Sequence, residues 1–135
     1  MVRMIIDATD AVFGRLCSFV AKKAIEGQEI IIVNSEHTII TGNKSDIIEK
    51  YLRLRKMGGR MSLKGPKYPN VPYMMLKRGI RGMLPDFRKG QGKKAFSRIK
   101  CFNGIPEEYK NEKMIKSGKT KPNKFIELKE LSQRI

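Results

Sequence analysis

The run Ile30-Ile31-Ile32-Val33 limits what this chain can fold into more than any other stretch. Four β-branched residues in succession favour extended backbone. Alternate side chains of a strand point to opposite faces, so a run that is apolar throughout must be covered on both. Such a strand belongs inside a parallel sheet, and a parallel neighbour requires a crossover. The preceding residues supply one. Met4, Ile5 and Ile6 form a short apolar run ended by Asp7, and Phe13, Leu16, Cys17, Val20 and Ala24 recur at helical spacing. Gly27 is placed to close that helix and Asn34 ends the second strand, which completes a βαβ unit.

Further along, Thr38 to Thr41 reads as a third strand, Gly42 as a turn, and Asn43 or Ser45 as the cap of a second helix. Ile47, Ile48, Tyr51, Leu52 and Leu54 carry this helix toward Met57, where Gly58 and Gly59 stop it. Periodicity then disappears, and Gly65-Pro66, Tyr68-Pro69 and Val71-Pro72 enforce extended or turning backbone, so 58–72 reads as an extended basic loop on the surface. A third helix starts near Pro72 and runs to about Leu84, before Pro85. At 100° per residue it gathers Tyr73, Leu76, Ile80, Met83 and Leu84 on the side expected to pack inward, with Lys77, Arg78 and Arg81 on the neighbouring face. Lys93 to Arg98 reads as a short fourth helix and Ile99 to Phe102 as a last strand. Pro106 to Asn123 reads as a tail without a core, and Ile126, Leu128 and Leu131 as a short terminal helix within the lysine-rich tail 107–135. The 135 residues have room for one domain and one core, 1–135, since domains commonly run to ~100–150 residues.

The formal net charge of +16 is strongly segregated. Met1 to Leu52 carries six Lys or Arg against seven Asp or Glu, a balance of −1. Arg53 to Lys100 carries fifteen bases against the single acid Asp86, a balance of +14, and Cys101 to Ile135 adds +3. A segment this cationic repels itself unless a polyanion lies against it. Arg53, Arg55 and Lys56 end the second helix, where cations also suit the helix dipole. Arg60, Lys64 and Lys67 stand beside Tyr68 in the extended loop. Lys77, Arg78 and Arg81 follow with Gly82, then Arg88, Lys89, Lys93, Lys94 and Arg98. Arg and Lys neutralise phosphates, and Tyr68 and Tyr73 offer faces to unpaired bases. No duplex-DNA motif such as a helix-turn-helix or zinc finger is recognisable.

The sequence offers little for catalysis. Gly90-Gln91-Gly92-Lys93-Lys94-Ala95 fits a loose dinucleotide pattern, but it follows Pro85 to Lys89 and not a buried strand. Its amides and lysines suit phosphates at a helix start equally well. His37 is the only histidine and reads as structural or surface, Cys17 lies on an apolar helix face, and Asp7 and Asp10 read as turn and cap residues. Cys17 and Cys101 lack disulfide or metal spacing and are expected to be reduced. No leader or membrane-spanning stretch is recognisable, so a cytoplasmic protein is expected, without catalytic residues, metal, cofactor, small-molecule substrate or membrane partner. Two other readings remain: a nucleotide-binding α/β protein using Asp7, Gly14 and Gly90 to Gly92, and a regulatory RNA-binding protein.

Ile6-Asp7-Ala8-Thr9, Val12-Phe13-Gly14-Arg15-Leu16, Ile32-Val33-Asn34-Ser35-Glu36 and Ile40-Thr41-Gly42 open a longer pattern. Lys64-Gly65-Pro66, Arg81-Gly82-Met83-Leu84-Pro85 and Phe102-Asn103-Gly104-Ile105-Pro106 continue it. In order and spacing this resembles the family of large ribosomal subunit protein thirteen over roughly the first 110 residues. The Lys64-Gly65-Pro66 stretch and the Ile105-Pro106 ending are similar to its archaeal and eukaryotic branch, and the length favours an archaeal protein. The resemblance implies a three-layer α/β/α fold around a small, mainly parallel four-stranded sheet. It also implies a structural role in the large ribosomal subunit, binding large-subunit rRNA beside neighbouring ribosomal proteins and supporting assembly and translation, with no catalysis. Three positions depart from the family's usual pattern: Phe13 stands where Leu is usual, Cys17 where a small residue is, and Gly79 where a larger one is common.

Overall fold

The computed structural model describes residues 3–57, 68–116 and 122–135. The opening strand β1 (Arg3–Asp7), helix α1 (Phe13–Ile25) and strand β2 (Glu29–Val33) form the expected βαβ unit, with β1 and β2 parallel and Ile5 opposite Ile31. Gly27 adopts φ +101, a left-handed conformation cheap only for glycine, and so ends α1. Its N–H donates to the Ala24 carbonyl and that of Gln28 to the Lys23 carbonyl. Ile30 to Val33 are all fully buried. Ile30 and Ile32 enter the main core with α1, while Ile31 and Val33 face the other way, onto Ile5 and Tyr109. The uninterrupted apolar run therefore has the cause expected of it: both faces of β2 are covered.

The chain continues through β3 (Ile39–Thr41), α2 (Lys44–Lys56), α3 (Pro72–Met83), α4 (Gly90–Ser97), β4 (Ile99–Cys101), β5 (Ile115–Lys116), β6 (Phe125–Glu127) and α5 (Leu128–Arg134). The main sheet is four-stranded and wholly parallel, in the order β4-β2-β1-β5. This is the expected α/β architecture. Helices α1, α3, α4 and α5 all contribute buried residues to the core on one face. A 3-10 turn at Glu107–Tyr109 covers the other, where Tyr109 packs with Phe102 and Met114.

Several sequence expectations change. β3 leaves the main sheet and pairs antiparallel with β6. Asn34 at φ 57 and a 3-10 turn at Ser35–His37 swing the chain away, and the Ile39 N–H donates to the Ala11 carbonyl. The stretch after Pro106, expected to lack a core, contributes buried Tyr109 and strand β5, whose Ile115 pairs with Ile6 of β1. Ile126, Leu128 and Leu131 form the expected short helix and its approach, and all three are fully buried.

Helix α4 begins at Gly90 and not at Lys93, because Gly90 at φ +65 turns the chain into it. Helix α3 has the expected length, but its inner face is Met75, Leu76, Ile80 and the following Leu84. Tyr73 and Met83, assigned inward by the helical wheel, are instead 37% and 46% exposed. Phe13, Cys17 and Gly79, singled out in the sequence, meet at one contact between α1 and α3. A Cβ on Gly79 would lie 2.6 Å from Phe13 Cζ and 3.2 Å from Cys17 Sγ. The glycine makes room for the large ring on the facing helix, and α3 remains regular through it.

Candidate nucleic-acid interface

Opposite its packed side, α3 turns a row of cations outward, and these lie over aromatic rings from neighbouring segments. The Arg78 guanidinium is 4.1 Å from the centroid of Tyr68, and Arg81 is 4.6 Å from that of Phe87. Lys77 Nζ is 5.2 Å from the centroid of Phe96. Beyond the helix, Arg88 lies 5.5 Å from the same Phe87 ring. Phe87 and Phe96 pack edge to face at 6.1 Å, which ties the connector after α3 to α4. Cation–π contacts are worth only ~0.5–1 kcal/mol each at exposed sites, so their main effect is to hold long cationic side chains in place.

Between these residues runs an open groove of about 420 Å³, lined by Tyr68, Pro69, Met74, Lys77, Arg78, Arg81 and Phe96. Tyr73 is not among the lining residues. On α2, burial pushes the Tyr51 hydroxyl above its ordinary pKa, and neighbouring Cys17 and Tyr68 add to the shift. The electrostatics of the face are one-sided. Asp86, the one acid between Arg53 and Lys100, accepts the backbone N–H of Arg88. Elsewhere among the described residues, ion pairs form at Arg3–Glu29, Lys23–Glu26, Lys44–Glu130 and Arg134–Glu130.

The residues singled out from the sequence divide into groups. Tyr68, Lys77, Arg78 and Arg81 come together at the groove, with Arg88 beside them on Phe87. Gly82 is exposed, and among the described residues a Cβ there would meet no other segment within 4 Å. Lys89 stands at the N-cap of α4, with Lys93 and Lys94 exposed on that helix. Arg53, Arg55 and Lys56 are exposed at the end of α2, where Arg55 Nη1 donates to the Ile135 carbonyl at 2.7 Å. Arg98 instead serves the fold, as its Nη1 donates to the Ala24 carbonyl at 2.9 Å and joins the end of α4 to that of α1. Arg60, Lys64 and Lys67 lie outside the described residues. Sequence reading missed Phe87, Phe96 and Met74, although aromatics interleaved with cations over 86–98 were a usable signal.

The enzyme-like features take structural places. A Cβ on Gly92 would fall 2.2 Å from the Pro85 carbonyl oxygen and 2.3 Å from that of Asp86, so this glycine lets α4 rest on the backbone before it. Burial pushes the Cys17 and Cys101 thiols up to about 12, which keeps both protonated and poorly nucleophilic near neutral pH. His37 stands 3.4 Å from Glu36 and 3.7 Å from Glu127, and Glu36 accepts the Gly104 N–H, so this cluster fastens the turn after β2 to two other segments. Burial raises the Asp7 pKa, but hydrogen bonds from the Thr9 side chain and backbone and from Asn34, with the Lys116 charge, lower it further, giving a net depression. This is the turn role expected of Asp7. Among the described residues no group of three or more His, Cys, Asp or Glu is placed to hold a metal, and no helix is long and apolar enough to cross a membrane.

The family described as ribosomal protein L13 matches residues 2–108. The chain belongs to that family. Its relatives include large ribosomal subunit protein uL13 of Methanococcus maripaludis, 44% identical over 134 residues covering 96% of this chain and 95% of that protein. The protein of the same name from Methanocaldococcus jannaschii is 42% identical over 133 residues, 97% of this chain and 96% of its own. That of Thermoplasma volcanium is 38% identical over 134 residues, with coverage of 97% and 96%. The match extends past residue 108 into β6 and α5, which the structure packs into the same core as the βαβ unit.

Proposed function

We infer that this member of the ribosomal protein L13 family is a non-enzymatic structural constituent of the large ribosomal subunit. Its α/β body carries the outer face of α3 and the adjoining α4 cations to large-subunit rRNA, and neighbouring ribosomal proteins complete its surroundings. The observation that carries the RNA-facing assignment is the set of cations on α3 laid over Tyr68, Phe87 and Phe96, in a segment of +14 whose single acid is Asp86. Phosphates neutralise a face of this kind, and rings that restrain the cations lower the entropy cost of binding.

Two measurements test this reading. On a sucrose gradient the protein should travel with the large subunit in near-stoichiometric amount. Neutralising Arg60, Lys64, Arg78, Arg81 and Arg88 should weaken rRNA binding and flatten its salt dependence, by about 0.7–0.9 in logarithmic slope for each phosphate that is no longer neutralised. Neutralising Lys22 and Lys23, on the last turn of α1, should do much less. An unchanged slope in the first variant would show that the binding face lies elsewhere.

A further inference from the structure

The groove beside α3 supports an inference that rests on the RNA-facing reading and deepens it. We propose that it seats one unstacked nucleotide of single-stranded RNA, with the base in the groove and flanking phosphates on the cations at its rim. The wall chemistry is of two kinds. Met74 is 45% exposed and, with Pro69 and the Tyr68 ring, gives the groove an apolar side. Lys77 and Arg81 stand on the same helix within the groove lining, held at 5.2 Å and 4.6 Å over Phe96 and Phe87.

A ligand for this place needs a flat apolar part and a negative charge close together. Duplex RNA offers the charge, but its bases are stacked inside and its accessible groove presents ribose hydroxyls and phosphate. An acidic peptide offers charge without a flat ring. An unpaired nucleotide offers both, and guanidinium planes and aromatic rings are the surfaces on which proteins stack such bases. Arg78, 4.1 Å from the Tyr68 centroid, is a guanidinium of this kind built on an aromatic support. The volume of about 420 Å³ lies within the ~300–1,000 Å³ usual for small-ligand sites.

The test uses the full chain and three RNAs: a single-stranded pentanucleotide with a central 2-aminopurine, the same strand abasic at that position, and a five-base-pair duplex. The chain contains no Trp, so the fluorescence of the probe base is read without interference from indole. The base-containing strand should bind about tenfold more tightly than the abasic one, with quenching of the probe. The double variant Tyr68→Leu, Met74→Ala should lose that ratio and keep the salt slope. The variant Lys77→Gln, Arg81→Gln should lose slope and keep the ratio. Salt-dependent binding with equal affinity for the base-containing and abasic strands, or a preference for the duplex, would refute the nucleotide seat while leaving the RNA-facing reading intact. Displacement of the strand by an acidic peptide of equal charge, with no quenching of the probe, would refute the seat in favour of a protein partner. No salt-dependent binding to any of the three RNAs would defeat both readings together.

Discussion

The two sides of α3 are built from the same twelve residues to opposite specifications. On the inner side, Leu76 and Ile80 are fully buried and Gly79 stands against the Phe13 ring. On the outer side, Lys77, Arg78 and Arg81 lie over aromatic rings along an open groove, and a Cβ on Gly82 would meet no other segment among the described residues within 4 Å. The two glycines are three positions apart and have different causes. Volume decides what is tolerated at residue 79, whereas the space beside residue 82 is open in the free protein. The inner side should therefore respond to mutation through folding and the outer side through binding.

Leu76→Ala should have the largest effect on stability. Removing a fully buried Leu leaves a cavity and forfeits transfer free energy, and such changes cost ~2–5 kcal/mol. Urea denaturation of the free protein would measure it, and a destabilisation below about 1 kcal/mol would mean that this side of α3 is loosely packed. Next comes Gly79→Ala. Overpacking costs ~1–3 kcal/mol, and the gain of up to ~1 kcal/mol in helix propensity offsets only part of it. In a Phe13→Leu background the two ring atoms nearest the new methyl, Cζ and Cε1, are gone. Gly79→Ala should then become neutral or stabilising, so the double-mutant cycle should show a coupling of about 1–2 kcal/mol. Additive effects would separate the two positions and remove the packing account of Gly79.

Much of the fold was legible because it depends on local patterns. The apolar run of β2 and the helical spacing of α1 determine the βαβ unit directly, and Pro72 and Pro85 bracket α3. What stayed hidden depends on contacts between distant residues. The two-residue strand β5 carries exposed Ile115 and Lys116, so nothing in its composition announces a place beside β1. The pairing of β3 with β6 joins residues far apart in the chain and could not be read from either short segment. At the groove, cationic character was evident from Arg53 to Lys100, but Arg98 resembles the other bases in sequence while its guanidinium is committed to the Ala24 carbonyl. Phe13, Cys17 and Gly79 could be singled out one by one, and only their meeting in space makes them a single contact.

Gly82 should show a smaller effect on stability, with the opposite sign. An exposed helical glycine costs up to ~1 kcal/mol relative to alanine, and the space beside Gly82 is open, so Gly82→Ala should raise the melting temperature of the free protein. We propose that the missing side chain allows rRNA backbone to approach α3. Gly82→Leu should accordingly preserve or raise the stability of the free protein while lowering its incorporation into large subunits. Normal incorporation, or unfolding of the free variant, would leave the glycine as a feature of helix geometry alone.

The smallest expected change in stability is that of Lys77→Gln combined with Arg81→Gln. Each substitution removes a cation–π interaction worth ~0.5–1 kcal/mol at an exposed site. Each also takes a positive charge from a segment that carries +14 and repels itself. The two effects have opposite signs, and surface substitutions usually stay within about 0.5 kcal/mol, so the free protein should change by no more than that. Salt separates them. Screening relieves repulsion between exposed charges, since the Debye length falls from ~10 Å at 0.1 M to ~3 Å at 1 M. The unmutated protein should therefore gain melting temperature with added salt, and the variant should gain less. Over the same range, the logarithmic salt slope of single-stranded RNA binding should be shallower in the variant by about 0.7 for each phosphate that is no longer neutralised. A destabilisation of more than about 2 kcal/mol in the free variant would place these cations among the groups that hold α3 to the body. The division between a packed side and a partner-facing side would then fail at the residues on which it most depends.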